Sequence, residues 1–247
     1  GMMTPLGFLR DPLSWMRNMT HHRSTVTAGP TFAYRAAAES LARSAPAPGS
    51  IDLSALRHAY VGAEPIAQST LRIFTESFAP WGLRSDVLIP SYGMAESVLA
   101  TTIAQHPAPA GPLNFGRVRA LPSEDTGAPL VSCGPPIEGM CVRVVESGGA
   151  EVGDGVIGEI EISGPSVMAG YLAPDGAVVR PPGGWHDTGD RGLICAGELF
   201  VVGRSKEMLI VRGRNLPPYD VEQVIGALPQ VGPGQVVVFS VPDDGRG

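Results

Sequence analysis

The sequence predicts a mixed α/β fold, in which a parallel α/β unit is followed by a β-rich unit and then by the beginning of a small third unit. Three observations carry this reading. Strand-like and helix-like periods alternate up to about residue 102; from Thr101 onward short alternating stretches are separated by Gly- and Pro-rich turns; and a helical period returns only at Pro217. The units are accordingly placed at residues 1–102, 103–205 and 206–247.

Asp11 to Met19 and Phe32 to Leu41 are rich in helix formers and read as short helices, with the strand-like STVTAG, Ser24 to Gly29, between them. HAYVGAEP, His58 to Pro65, reads as a short strand ending in a loop, followed by a helix with Leu71, Phe74 and Phe78 on one face. A strand at Asp86 to Ile89 then enters the loop SYGMAES, which is expected to lead into another helix. Such alternation implies right-handed βαβ crossovers and a parallel sheet, whose ligands lie at the carboxyl ends of the strands, where GAEP and SYGMAES both fall.

In the second unit CVRVV (Cys141 to Val145), GEIEI (Gly158 to Ile162) and ELFVV (Glu198 to Val202) alternate like half-buried strands of a small antiparallel sheet. Val221, Val224, Ile225 and Leu228, at helical spacing, mark the amphipathic helix of the third, and QVVVFSV reads as a final strand.

With 247 residues, 43% of them hydrophobic and 17% charged, the chain has enough apolar material for a sizeable core. A formal net charge of −6 has the wrong sign for a nucleic-acid binder. No apolar run has the ~20 residues of a membrane helix, and the N-terminus lacks the pattern of a secretory signal, so a cytoplasmic location is expected. Cys133, Cys141 and Cys195 have neither disulfide-framework nor zinc-site spacing.

Chemistry concentrates in three motifs. SYGMAES brings backbone N–H groups, the Tyr92 ring and the Glu96 carboxylate to the ligand edge of the predicted sheet. Tyr92 suits stacking on a base and Glu96 suits a Mg²⁺ held against phosphates; an ordinary helix start with a solvated acid fits the same letters. In WHDTGDRG, Asp187 and Asp190 flank Thr188-Gly189, read as a tight turn between β segments that presents a carboxylate to a pair of hydroxyls, or as a plain turn. In GRSKEMLIVRGRN, Arg204 and Lys206 sit on a connection between strands, either as a pivot between domains or as surface charge. His21 and His22 read as helix-cap or surface residues, and Met168 and Tyr171 as core packing.

VGAEP, SYGMAES, GEIEISGPSVMAGYL, WHDTGD and GRSKEMLIVRGRN follow one another in the order of the core motifs of the adenylate-forming ligases, which the chain resembles over nearly its whole length. FLRDPLSWM followed by TVTAGPTFAY, the extended segment between SYGMAES and LVSCGPPIEG, and RGRN before a Pro-rich helix start resemble the fatty acyl-AMP ligases in particular.

The resemblance implies the latter part of the large nucleotide-binding domain and, past a hinge at Lys206, the start of a C-terminal domain. It implies that Gly62, Ala63, Glu64 and Pro65, together with Ser91, Tyr92, Gly93 and Met94, contact ATP or AMP, with Tyr92 at the adenine. It makes Glu96 the catalytic Mg²⁺ ligand, Asp190 the acid that holds the ribose hydroxyls and Arg204 a further nucleotide contact. The implied reaction is ATP-dependent activation of a fatty acid to its acyl adenylate with pyrophosphate release, then acyl transfer to an acyl carrier protein. A coenzyme A ligase and a non-catalytic nucleotide-binding remnant are the alternatives. Thr101 to Leu130 would be an insertion that restricts the domain rotation needed to reach coenzyme A.

Some family features have no counterpart here. Nothing in Gly1 to Ala59 matches the Gly/Ser/Thr-rich phosphate loop, no lysine follows Lys206 to match the C-terminal catalytic lysine, and LPPYD, Leu216 to Asp220, replaces an aromatic residue before a single proline. The expectation is a fragment that does not adenylate on its own and retains at most weak nucleotide binding.

Overall fold

The structure, a computed structural model, describes residues 3–44, 46–123, 128–205, 209–211, 214–216, 218–226, 228, 231 and 236–239. The first half builds a four-stranded sheet. Helix α1 (Pro5–Arg10), which the sequence pattern does not signal, starts where the Thr4 hydroxyl accepts the Gly7 N–H at 3.2 Å. Helix α2 (Leu13–His22) buries Leu13, Met16 and Met19 and leaves His21 and His22 exposed at its end. Strand β1 (Val26–Gly29), helix α3 (Thr31–Arg43), strand β2 (His58–Val61), helix α4 (Gln68–Phe78) and strand β3 (Leu88–Tyr92) then alternate, and β1, β2 and β3 pair in parallel. The expected α/β alternation is thus realised.

Helices α3 and α4 cover the sheet through Tyr34, Ala37, Leu71, Phe74 and Phe78, all buried in one core cluster. Tyr34 meets Phe74 edge to face at 4.9 Å, and its hydroxyl donates to the Tyr60 carbonyl at 2.9 Å. Removing that hydroxyl deletes a part-buried hydrogen bond, so Tyr34→Phe is expected to cost about 1 kcal/mol, read as a lower urea midpoint at unchanged slope.

The helix expected after SYGMAES is absent. Ala95–Ser97 make a single 3-10 turn, and the chain returns as β4 (Thr102–Ile103), antiparallel to β3. Beyond it, Leu113, Phe115, Val118 and Ala120 join the α/β core, Gln68 donates to the Leu113 carbonyl at 3.0 Å, and the Arg72 guanidinium lies 4.8 Å over the Phe115 ring. Leu113 and Phe115 therefore pack on α4, with β5 (Ala120–Leu121) paired to β6 (Leu130–Val131).

The second half is an antiparallel sheet of β7 (Cys141–Val145), β8 (Gly158–Ser163), β11 (His186–Cys195) and β12 (Glu198–Arg204), in the order β12-β11-β8-β7. A hairpin of β9 (Tyr171–Leu172) and β10 (Val178–Val179) stands apart from it. Strands β11 and β12 are joined by Ala196 and Gly197 at φ +52° and +77°, the left-handed pair that a two-residue hairpin requires.

Ser132 to Ile137 tie the two sheets. Cys133 N–H donates to the Leu199 carbonyl at 2.7 Å and Leu199 N–H to the Gly134 carbonyl at 3.0 Å, on the β12 side. On the β4 side, Ile103 N–H donates to the Pro135 carbonyl at 3.2 Å and the Thr102 hydroxyl to the Cys133 carbonyl at 2.9 Å. Cys133 is buried here, which pushes its thiol up to about 12, whereas Cys141 is exposed and Cys195 half-buried. A thiol reagent at about pH 8 is expected to label Cys141 and Cys195 on the folded chain and to reach Cys133 only in denaturant, which mass mapping would verify.

Past β12, the hairpin β13 (Leu209–Val211) and β14 (Arg214–Leu216) precedes helix α5 (Pro218–Gly226). The predicted apolar face of α5 is not a buried one: Val224 is 72% and Leu228 51% exposed. Val236 to Phe239, expected as a strand, carry no strand pairing and meet α5 through Val238 N–H, which donates to Glu222 Oε1 at 2.9 Å. Among the described residues no helix is long and apolar enough to cross a membrane.

Candidate functional site

The loops after β2 and β3 lie side by side because glycine permits it. A Cβ on Gly62 would stand 2.6 Å from the Ser91 carbonyl oxygen, and one on Gly93 would stand 1.9 Å from that of Leu99. Ser91 closes the pair by donating its hydroxyl to the Val61 carbonyl at 3.2 Å. Ala63 adopts φ +69°, a left-handed conformation costly for a residue with a Cβ, and sits exposed next to Pro65. Glu64 turns back, its Oε1 accepting the Phe32 N–H at the start of α3; burial raises its carboxyl, and that bond works in the opposite direction.

Across from these loops, β11 does not contain the tight turn expected at Thr188-Gly189. It runs as one strand with a bulge: Asp187 pairs with Glu161 and Arg191 with Glu159, so the residues between them are out of register. The bulge is held by the Thr188 hydroxyl, which donates to the Ile160 carbonyl at 2.8 Å and accepts the Asp190 N–H at 3.1 Å. Asp187 stays exposed and accepts the Gly189 N–H at 2.9 Å, while Asp190 is turned inward and only 6% exposed.

Inward, Asp190 meets two predicted partners. The Tyr92 hydroxyl donates to its Oδ2 at 2.7 Å, spanning the two sheets, and Arg204, its cross-strand partner on β12, brings Nε to 3.2 Å of Oδ1. Burial and then the Asp190 charge raise the Tyr92 phenol well above its ordinary range, so it keeps its proton at any working pH. The Arg204 side chain is 59% exposed, which leaves the guanidinium open to solvent on its far side.

Glu96 is fixed by a residue expected to serve in packing. Tyr171 is 55% exposed on β9, not part of a core, and its hydroxyl donates to Glu96 Oε1 at 3.1 Å. Met168, half-buried, donates its N–H to the Glu96 carbonyl at 2.7 Å. The structure thus joins Tyr92, Asp190 and Arg204 directly, places Gly62 beside Ser91, and gives Glu96 its own tether. Thr188 and Tyr171 are positioning groups that the motifs do not announce; the alternation of buried His186, Thr188 and Asp190 was the available signal for the first. Lys206 lies outside the described residues.

The Asp190 carboxylate thus meets the Tyr92 hydroxyl and Arg204, and Tyr92 immediately precedes Gly93 in one of the two close-approach glycine loops. The profile of the family described as AMP-binding enzyme matches residues 1–172. The chain belongs to the AMP-binding enzyme family. Within this family it is 35% identical over 266 residues to a 4-hydroxyphenylalkanoate adenylyltransferase of Mycobacterium tuberculosis, covering 98% of this chain and 42% of that relative. It is 34% identical over 254 residues to the medium-chain fatty acid–acyl carrier protein ligase JamA of Moorena producens, covering 91% of this chain and 41% of that one.

Solved AMP-binding enzymes share the fold. A structure from studies of the fatty acyl-adenylate ligases of E. coli and L. pneumophila superposes with a TM-score of 0.82 at 29% identity, covering 96% of this chain and 44% of that chain. The L. pneumophila enzyme in complex with acyl adenylate and pyrophosphate gives 0.67 at 28% identity, covering 93% and 43%. The chain spans less than half the length of these relatives.

Proposed function

We propose that the enzyme activates a fatty acid as its acyl adenylate and passes the acyl group to the phosphopantetheine thiol of an acyl carrier protein. The observation that carries the reading is the Tyr92–Asp190–Arg204 contact set beside the two glycine loops, at the carboxyl ends of β2 and β3. The names of the relatives, a fatty acid–carrier protein ligase and an adenylyltransferase among them, support the substrate and acceptor classes.

In this reading the fatty acid carboxylate attacks the α-phosphorus of ATP, a P–O bond forms, and the bond to the bridging oxygen breaks to release pyrophosphate. Gly62 to Pro65 and Ser91 to Met94 line the nucleotide, Tyr92 lies at the base, Asp190 accepts the ribose hydroxyls, and Arg204 offers its exposed guanidinium to the nucleotide. Among the described residues no three metal-ligating side chains cluster. A lone Glu96 suits a magnesium ion held mainly by nucleotide phosphates, where it would neutralise developing charge. Lys206 is the proposed hinge. Residues 1–102, 103–205 and 206–247 are the proposed divisions, and the α4-packed stretch after β4 the proposed element that denies access to coenzyme A.

The test is to give the natural full-length enzyme ATP, magnesium and a series of fatty acids, with acyl adenylate followed by mass spectrometry, and then to offer holo-acyl carrier protein or coenzyme A. Acyl adenylate that is consumed by the carrier protein and spared by coenzyme A is expected. Ready formation of acyl-coenzyme A would reverse the acceptor, and no pyrophosphate with any fatty acid would remove the substrate class.

A further inference from the structure

Tyr92 is anchored at both ends. Its backbone closes β3, pairing with Thr102 of β4, while its ring packs against the Ile160, Ile162 and Leu199 cluster of the other sheet and its hydroxyl reaches Asp190 Oδ2 at 2.7 Å. Asp190 sits on the bulged stretch of β11, where the ladder with β8 is interrupted between Asp187 and Arg191. Two of the contacts that orient the carboxylate are the Tyr92 hydroxyl on one oxygen and the Arg204 Nε on the other. The Arg204 side chain is 59% exposed against 9% for Asp190, so solvent competes for the guanidinium far more than for the carboxylate. The phenol, in contrast, is half-buried, and burial and the Asp190 charge keep it protonated as a donor.

Resting on the reading of Asp190 as the ribose acceptor, we propose that the Tyr92 hydroxyl is a positioning group for ribose recognition. It turns the Asp190 carboxylate toward a vicinal diol. This role is separate from any contact of the ring with a base, because Tyr92→Phe deletes it and keeps the ring. A nucleotide lacking both ribose hydroxyls has nothing to gain from the orientation, so the effect belongs to the diol alone.

The experiment measures binding of AMP and of 2′,3′-dideoxy-AMP to the natural full-length protein, as wild type, Tyr92→Phe and Asp190→Ala, by calorimetry, with near-ultraviolet circular dichroism to verify folding. The wild type is expected to prefer AMP. Tyr92→Phe is expected to lose about fivefold to tenfold of that preference, with dideoxy-AMP bound as before, and Asp190→Ala to bind both alike. If the wild type prefers AMP and Asp190→Ala abolishes the preference, yet Tyr92→Phe keeps it whole, the positioning role is wrong and the ribose site stands. If the wild type does not distinguish the two nucleotides, or binds neither, the ribose site itself is wrong and the positioning role falls with it. Equal weakening of both nucleotides by Tyr92→Phe would assign the residue to the base and overturn the proposal.

Discussion

Gly134→Ala is expected to destabilise the fold by about 2–5 kcal/mol, as the sum of about 1–2 for a left-handed residue with a Cβ and about 1–3 for overpacking. Gly134 has φ +82°, and a Cβ there would lie 2.2 Å from the Ile103 carbonyl carbon and 2.3 Å from the Ala104 nitrogen. Neither neighbour can move aside cheaply. Ile103 N–H is bonded to the Pro135 carbonyl and Ala104 N–H to the Pro90 carbonyl, so relief would open the seam between the two sheets. Gly149 is the internal control, because it has φ +81° and a Cβ added there would meet nothing within 4 Å. Gly149→Ala should therefore show the conformational cost alone, about 1–2 kcal/mol. Urea unfolding of the two variants separates the terms, and equal losses would mean that the seam tolerates displacement.

That seam marks the limit of what could be read from the letters. The helix–strand alternation was legible because α3 and α4 bury regular apolar faces: Leu71, Phe74 and Phe78 repeat at helical spacing and all three are buried. Strand β8 was legible for the same reason at period two, whereas β7 and β12 bury adjacent residues, Val144 with Val145 and Leu199 with Phe200. Ser132 to Ile137 were not, since their structure is set by partners on both sides, Leu199 and Ile103, far apart in the chain. Local propensity also misled after SYGMAES. Ala95 to Ala100 are acceptable helix residues, yet Thr101 N–H is drawn to the Tyr92 carbonyl at 2.8 Å, and the chain turns back as a strand instead. Tertiary hydrogen bonding overrides a weak helical preference there.

The site divides in the same way. Motif order, and through it the resemblance, pointed to Tyr92, Asp190 and Arg204 as members of one site. Their mutual geometry depends on the bulge in β11, which no spacing in HDTGDRG reveals, because a tight turn and a bulge use the same Thr-Gly pair. Tyr171 was invisible for a related reason: an aromatic residue in GPSVMAGYL looks like packing until the hairpin that carries it is seen to lie open, with the hydroxyl aimed at Glu96.

Asp190→Asn is expected to have the larger functional effect. The substitution keeps the shape and one acceptor, but removes the charge and presents an NH₂ group either to Tyr92, to Arg204 or to an incoming hydroxyl. If Asp190 accepts the ribose hydroxyls, losing charge-assisted acceptance is worth about 2–3 kcal/mol, or about 30- to 150-fold in AMP affinity. The cost in stability should be smaller, about 1 kcal/mol, because the Asp190 side chain is only 9% exposed but its partner Arg204 is 59% exposed and solvent screening discounts the pair. The kinetic signature follows from where the ribose lies relative to the reacting atoms. The 2′ and 3′ hydroxyls take no part in the bond changes at the α-phosphorus, so if Asp190 holds them alike in the ground and transition states, KM for ATP should rise while kcat and KM for the fatty acid stay close to wild type. Calorimetry with AMP, urea unfolding and steady-state adenylation of the natural full-length enzyme together decide the matter. A variant that unfolds far more readily yet binds AMP normally would make Asp190 a tie between the sheets and not a nucleotide ligand; a fall in kcat at unchanged KM for ATP would place its effect on the transition state.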